Sequence, residues 1–428
     1  MTSTVHATTP GPSSGQVNPE AHSDANEEAR SAEISQWGLI WRRFSRNRLS
    51  VWALRTLVLM YGLAVFAPFL APYGADRIDT NHSYAEPTRI VFLDGQLAVC
   101  ALDQSLDPFL LKYRYVDDCS RARPIEFLPK GDPYWLFGLF KLEVHLFGIT
   151  PGEALKGGAV PVAPVATPTA APADPLASFR VQQPDSVAPK LDTIKNPPKI
   201  YLLGADQQGR DVLSRMLVGS QVSLTVGLVG VFLSLTIGSV MGATSGYVGG
   251  TWDNVIQRTI EIIRSVPTLP LWAAIAAALP RTTTIVQRYF LITLVLSLVG
   301  WTGLARELRG KVMDYRSLDY IAAARLAGSS DLRIILAHML PNAASHIIVV
   351  ATLAVPYSIL GETTLSFLGL GMLPPAVSWG VLLKDAQQLD SVLIHPWMLI
   401  PALPVVLTVA CYFLLGDGLR DAVDPYSS

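Results

Sequence analysis

Six stretches of this chain stay apolar for about twenty residues each, the length a helix needs to cross roughly 30 Å of hydrocarbon. They run from Val51 to Ala71, Ser220 to Gly246, Ile260 to Leu279, Tyr289 to Leu308, Ala343 to Leu370 and Pro396 to Gly416. A bilayer core holds no water to satisfy a backbone N–H or C=O, so such runs must be helices bonded to themselves. Of the 428 residues, 50% are hydrophobic and 16% charged, with a mean hydropathy of +0.35. That is more apolar and less charged than soluble domains are. The expected architecture is an all-α polytopic membrane protein with six transmembrane helices. The third run is the least regular, because Glu261, Arg264, Pro267 and Pro270 crowd its beginning and put that end at the interface.

Lys and Arg gather on the cytoplasmic side of short membrane loops. The segment "WRRFSRNR" ahead of the first run holds four Arg, and Arg306 to Arg333 holds six basic residues. The opposing short loops hold only Arg281, Arg288 and Lys384. Both termini are therefore expected in the cytoplasm. Residues 1–36 lack the basic n-region and apolar core of a signal peptide and read as a disordered cytoplasmic tail. Residues 37–72 read as an interfacial helix, where Trp37 and Trp41 alternate with the Arg cluster, followed by the first span. Residues 73–200 fall outside as a large extracytoplasmic insert with enough aromatics for a small packed domain. Within it, the Ala/Pro-rich stretch 151–190 reads as an extended linker. Residues 201–428 carry the other five spans, with a cytoplasmic loop at 309–342.

Several functions are excluded or left without support. A net charge of −1 offers no basic surface to nucleic acid. Cys100, Cys119 and Cys411 form no CxxC pair, and no His cluster stands at ligand spacing, so no metal site is expected. Cys100 and Cys119 share the outside region, where an oxidising compartment permits a disulfide; the alternative is two partly buried free thiols.

The cytoplasmic loop contains "DYIAAARLAGSSDLRIILAHMLPN", from Asp319 to Asn342. Ser317 or Asp319 is placed to cap a short helix of strong helix formers, and Gly328 stands where a left-handed C-terminal residue belongs. Ser329 or Ser330 then caps a second helix running toward Pro341, near the start of the fifth span. Ala322, Ala323 and Ala324 either give a face onto which another backbone can pack closely or serve helix propensity alone in a surface loop.

This stretch resembles the "EAA" loop of inner-membrane subunits of ABC importers: Glu-Ala-Ala, three residues, Gly, nine residues, Ile, one residue, Leu-Pro. Ala323, Ala324, Gly328, Leu340 and Pro341 match that spacing, while Ala322 replaces Glu and His338 replaces Ile. The form ending in Asn342 is similar to the variant of the oligopeptide/dipeptide permease C family. "LLGADQQGRDVLSRMLVGSQVSL", "GYVGGTWDNVIQRTIEIIRSVPTL", "GETTLSFLGLG" with "SWGVLL", and "LGDGLRDAVDP" resemble further segments of that family, over roughly Trp41 to Ala71 and Tyr201 to Pro425. Ala205 replaces a usual Thr, and the long outer insert is atypical.

The resemblance implies a type I importer permease fold and no enzymatic role. It also implies a second permease subunit in a heterodimer, two ATP-binding subunits and an external solute-binding protein. ATP and Mg would sit on the partners, and this chain would bind no cofactor. The residues agree, since no GxxxxGK[ST] phosphate loop occurs in the sequence. Peptides are the implied cargo, with oligosaccharides, opine-like solutes and nickel as alternatives. Asp319, Ala322, Ala323, Ala324, Arg325, Gly328, Leu340, Pro341 and Asn342 form the implied ATPase-coupling loop. There Arg325 either pairs with an acid of the ATPase or solvates the loop. Gly204, Asp206, Gly209, Arg210 and Asp211 are expected to close a polar turn at the outer mouth by salt bridging, with direct cargo contact by its charged residues as the alternative. Glu362 is an intramembrane carboxylate. It either lines the path or subunit interface, or is a hydrogen-bonded carboxyl near the outer end of its span. Glycine spacing in the second span allows close helix approach, within one subunit or between two. An ion-coupled secondary transporter is the rival class, but no internal repeat and few mid-span carboxylates support it.

Overall fold

The computed structural model describes residues 36–93, 95–107, 112–136, 138–149, 195–280, 282–388 and 393–423. The expected tail, save its last residue, and the linker 151–190 lie outside them. Helix α1 (Gln36–Arg46) meets α2 (Arg48–Val65) at Asn47, whose side chain accepts the Ser50 N–H and caps α2. A single turn, Ala67–Leu70, extends α2 past a break at Phe66. Among the described residues seven strands follow: β1 (Ile90–Leu93), β2 (Gln96–Asp107), β3 (Lys112–Pro124), β4 (Glu126–Phe127), β5 (Lys130–Leu136), β6 (Phe140–Val144) and β7 (Phe147–Gly148). The remaining helices are α3 (Val212–Val248), α4 (Gly250–Ser265), α5 (Thr268–Ala277), α6 (Ile285–Arg316), α7 (Asp319–Leu326), α8 (Leu340–Phe367), α9 (Trp379–Asp385) and α10 (Ala402–Val423).

Among the described residues, five helical segments are long and apolar enough to cross a membrane: Arg48–Val65, Val212–Val248, Ile285–Arg316, Asp331–Phe367 and Pro396–Val423. A sixth exists only if the pair α4 and α5 counts as one span, and that pair is bent by 86°. The expected third span over Ile260–Leu279 is thus interrupted near its beginning. Pro267 has no N–H to give, and it forces the preceding residue out of the helical region. Val266 accordingly sits at φ −93° and ψ 132°, and the helix stops at Ser265.

The all-α expectation also needs correction, because the insert is a β structure. Strands β1, β2 and β3 form an antiparallel sheet in that order, while β4 pairs with β7 and β5 with β6. Cys100 on β2 and Cys119 on β3 are joined by a disulfide beside the register shift between Val99 and Ala101. The sheet is fastened to the segment entering α3. Arg121 reaches Asp118 at 2.7 Å, Asp103, and the Asn196 carbonyl at 3.1 Å. The hydrogen bonds from Ser120, together with that Arg121 contact, hold the Asp118 carboxyl below the ordinary range.

The membrane part is organised on α3 and α6. Gly238, Gly242 and Gly246 of α3 lie against α6, so a Cβ at Gly242 would sit 2.6 Å from the Ala305 carbonyl oxygen. The small-residue stripe therefore serves packing within the subunit. One core joins α2, α3, α8 and α10 through Leu57, Leu224, Ile359 and Tyr412. A second, at the end remote from the insert, joins α3, α6 and the loop through Tyr247, Leu308, Ile321 and Met339.

Candidate functional site

Two clusters flank the helical bundle, one at the insert end and one at the loop end. At the insert end the chain turns sharply through Gly204–Asp211 before entering α3. Gly204 has φ +78° and Gly209 φ +71°, the left-handed region that favours glycine. Space is equally restrictive, since a Cβ at Gly209 would fall 1.8 Å from the Asp79 carbonyl oxygen.

Asp206 is buried in this turn. Its Oδ1 accepts the N–H groups of Gln208 and Arg210 at 2.9 and 3.0 Å, and its Oδ2 accepts Arg210 Nε at 2.7 Å. Arg215, one turn further into α3, reaches the same Oδ2 and also meets Asp385 at the end of α9, at 3.1 Å. Two acids and two guanidinium groups thus compensate one another; Asp206, Arg210 and Arg215 are buried and Asp385 is half-buried, and burial of charge requires such pairing. The expected salt bridge between Asp206 and Arg210 forms. Asp211 does not join it; the side chain caps α3 by accepting Ser214 N and Ser214 Oγ at 2.7 and 2.6 Å. Burial pushes the Asp211 carboxyl up to about 7, against the Ser214 bonds, which lower it. Sequence reasoning misses Arg215 and Asp385. The available signal is an Arg at the start of an apolar span, which must find a partner.

Glu362 is fully buried. Ser223 of α3 donates to its Oε2 at 3.1 Å and Ser366 of α8 to its Oε1 at 2.7 Å, with the Ser378 hydroxyl also bonded to it. Ser223 in turn accepts the Trp379 N–H at 3.1 Å, and Ser366 accepts the Met372 N–H at 2.9 Å. The carboxyl therefore ties the "GETTLSF" turn of α8 to α3 and to the start of α9. It lines neither a path nor a surface, because its hydroxyl partners enclose it.

At the other end, α7 presents Ala322 and Ala323 to solvent, with Leu326 90% exposed. Its opposite side is rooted, for Ile321 is fully buried in a core with Tyr247 of α3, Leu308 of α6 and, further along the loop, Ile334 and Met339. Gly328 follows at φ +79° and ends the helix. The expected side-chain caps are missing, since Leu318 occupies the N-cap of α7 and Ser330 makes no capping bond. Arg325 lies over the Tyr247 ring, 4.9 Å from its centroid, with Nε 3.2 Å from the hydroxyl; Tyr247 donates to Asp331 at 2.8 Å. The Arg325 side chain thus rests on its own subunit. Asn342 donates to the Tyr320 hydroxyl at 2.8 Å, closing the loop on itself. A π-helical turn, Ile334–Met339, precedes Leu340 and Pro341. The wider turn accommodates a proline that cannot donate.

Toward the loop end the bundle holds a cavity of about 1470 Å³, with Val231, Trp272, Val350 and Tyr357 on its walls and Arg264, Glu307, Lys311 and His346 among its polar groups. His346 Nε2 lies 3.3 Å from Glu307 Oε2.

Residues 234–426 match the binding-protein-dependent transport system inner membrane component, and residues 35–87 match the N-terminal TM domain of oligopeptide transport permease C. The oligopeptide transport system permease protein OppC of Haemophilus influenzae is 42% identical over 227 residues, 53% of this chain and 70% of the relative. The chain belongs to this permease family. OppC of Bacillus subtilis is 35% identical over 236 residues, covering 55% of this chain and 75% of its own length. The dipeptide permease DppC of Bacillus subtilis is 37% identical over 247 residues, at 56% and 74% coverage. The fold is that of an ABC importer permease, an inner-membrane transport component and not an enzyme. Strands β1–β7 fall between the two matched ranges.

Proposed function

We propose that this chain is one of two permease subunits, paired as a heterodimer, of an ATP-driven importer taking up peptides from an external solute-binding protein. The carrying observation is α7: an exposed Ala322–Ala323–Leu326 face on a helix whose opposite side, at Ile321, is buried in the bundle. Such an element moves as a rigid lever when a docked partner moves. Two ATPase subunits holding ATP and Mg dock on Asp319–Asn342, and closure of their nucleotide sites drives the bundles between two arrangements. The cavity bounded by Trp272, Tyr357 and His346 is this subunit's share of the path. Peptide cargo is supported by relatives named as oligopeptide and dipeptide permeases.

In this reading both termini and α7 are cytoplasmic, and residues 73–200 lie outside. The Cys100–Cys119 disulfide supports that side, because such bonds persist in oxidising compartments. The test is peptide uptake by vesicles containing the assembled subunits, with a cysteine at Ala323 cross-linked to the ATPase. Uptake that needs ATP and stops on cross-linking is expected. Uptake that continues without the ATPase, or that collapses with an ion gradient alone, would overturn the reading.

A further inference from the structure

The β5–β6 hairpin carries apolar side chains that the described residues leave uncovered. Trp135 is 61% exposed, Leu139 74% and Phe140 60%. The register sets Tyr134 opposite Leu142 and Leu136 opposite Phe140, with Trp135 opposite Lys141 on the alternate face. One face therefore carries Tyr134, Leu136, Phe140 and Leu142, and the other sets the exposed Trp135 beside Lys141. A two-stranded ribbon wet on both sides is marginally stable in water, and clustered exposed apolar groups mark an interaction surface.

The base of the hairpin identifies the surface. Leu146 N donates to the Phe69 carbonyl at 2.8 Å, and His145 Nδ1 lies 2.6 Å from the Ala71 carbonyl. Asp132 of β5 accepts the Gly74 N–H at 2.9 Å and pairs with Arg77 at 3.2 Å. Phe69 to Ala71 lie one turn past the end of the first span, Arg48–Val65, and Val65 and Phe66 at that end are 44% and 47% exposed. The apolar exposure of the span's end thus continues onto an element hydrogen-bonded to it. Trp favours this level of a bilayer, where its ring is half in lipid, and a neighbouring Lys can lay its stem on lipid while its ammonium reaches the headgroups.

We propose that the hairpin is a second membrane anchor, with Trp135, Leu139 and Phe140 at the headgroup–acyl boundary of the outer leaflet and Lys141 at the phosphates. This rests on the extracytoplasmic placement of the insert. A soluble binding protein is the poorer occupant, because contact at the last turn of a span would press that protein against the bilayer as well.

The test uses the full chain with its partner subunits in phosphatidylcholine/phosphatidylglycerol vesicles. In a Cys411→Ser background, Leu139→Cys carries an environment-sensitive fluorophore. Blue-shifted emission is expected, quenched several-fold more by phospholipid bearing a doxyl group near the glycerol than by external iodide. Arg114→Cys, exposed on β3, should show the reverse. Adding Phe140→Glu, at an exposed site where folding is spared, should remove most of the doxyl quenching. Iodide quenching at Leu139 equal to that at Arg114, without a doxyl effect, overturns the proposal. So does shielding that appears only when purified solute-binding protein is added. If external iodide cannot reach the Arg114 probe, the side assigned to the insert fails, and the outer-leaflet assignment with it, whatever the doxyl reading at Leu139.

Discussion

Ser223 on α3 and Glu362 on α8 meet through a 3.1 Å hydrogen bond that spans 139 residues of sequence. Replacing Glu362 with Ala leaves the Ser223 and Ser366 hydroxyls without their acceptor in a buried site. Each buried group so orphaned costs about 1–3 kcal/mol. Glu362→Ala is therefore expected to lower the thermal midpoint of the purified protein clearly, and Glu362→Gln, which keeps an acceptor oxygen, to lower it less. An alanine variant that melts with the parent would deny the cage any part in stability.

The glycine stripe of α3 makes a second contrast. A methyl at position 242 meets the Ala305 carbonyl at 2.6 Å and its Cα at 3.0 Å, so α3 and α6 must separate. Overpacking of this kind costs about 1–3 kcal/mol. On α6, a methyl added at Gly303 would meet nothing within 4 Å, and Ala there gains up to about 1 kcal/mol of helix propensity. Gly242→Ala should reduce folded yield and melting temperature while Gly303→Ala preserves or raises both. The same sign for the two substitutions would show that contact with α6 is not what matters.

Hydropathy makes the helical bundle legible, because burial in lipid is written into composition along each span. The ends are less so. Helix α6 continues to Arg316, eight residues past Leu308, since a helix need not stop where the hydrocarbon does. Pro267 is visible in the sequence, yet only its extended neighbour Val266 reveals that the third span breaks there. In the Gly204–Asp211 turn, Asp206 and Arg210 stand four apart and can be paired by eye. Arg215 and Asp385, 170 residues apart, cannot. Sequence alone offers Arg325 another protein or solvent, but its perch on the Tyr247 ring depends on how α3 and α7 pack. Strands β2 and β3 run for 12 and 13 residues, but Asp103, Asp117, Asp118 and Arg121 interrupt their apolar positions, which hides the alternation.

Gly328 tests the lever. Its φ of +79° suits glycine, and nothing lies within 4 Å of a Cβ placed there. A substitution therefore acts through backbone strain, about 1–2 kcal/mol for an L-residue held in that region. Gly328→Val is expected to weaken recovery of the ATPase with the permease or to uncouple hydrolysis from uptake, whereas Gly328→Asn, which tolerates the left-handed region, retains more of both. Normal recovery together with normal uptake in the valine variant would count against α7 as the coupling element.

Acid sensitivity should reside in the contact that closes the insert onto the Gly204–Asp211 turn. Asp79 receives His82 Nδ1 at 2.7 Å and the Lys199 ammonium, while the Tyr201 hydroxyl lies at 3.4 Å. Burial by itself raises the Asp79 pKa, but the hydrogen bonds and charges of His82 and Lys199 outweigh it and hold the carboxyl well below its ordinary 3.8. Between those two values the unfolded chain binds a proton that the folded chain does not, so stability falls as the pH falls. The Asp79 contribution is complete above the unfolded value of 3.8 and is lost as acidification proceeds through the lower folded one. Asp79→Asn forfeits that contribution at neutral pH and should flatten the acid limb. Melting temperatures of both proteins in detergent, taken from neutral pH down to about 3, one unit below an unperturbed aspartate, read this directly. Parallel acid limbs would mean that His82 and Lys199 do not hold the charged carboxylate in the folded protein.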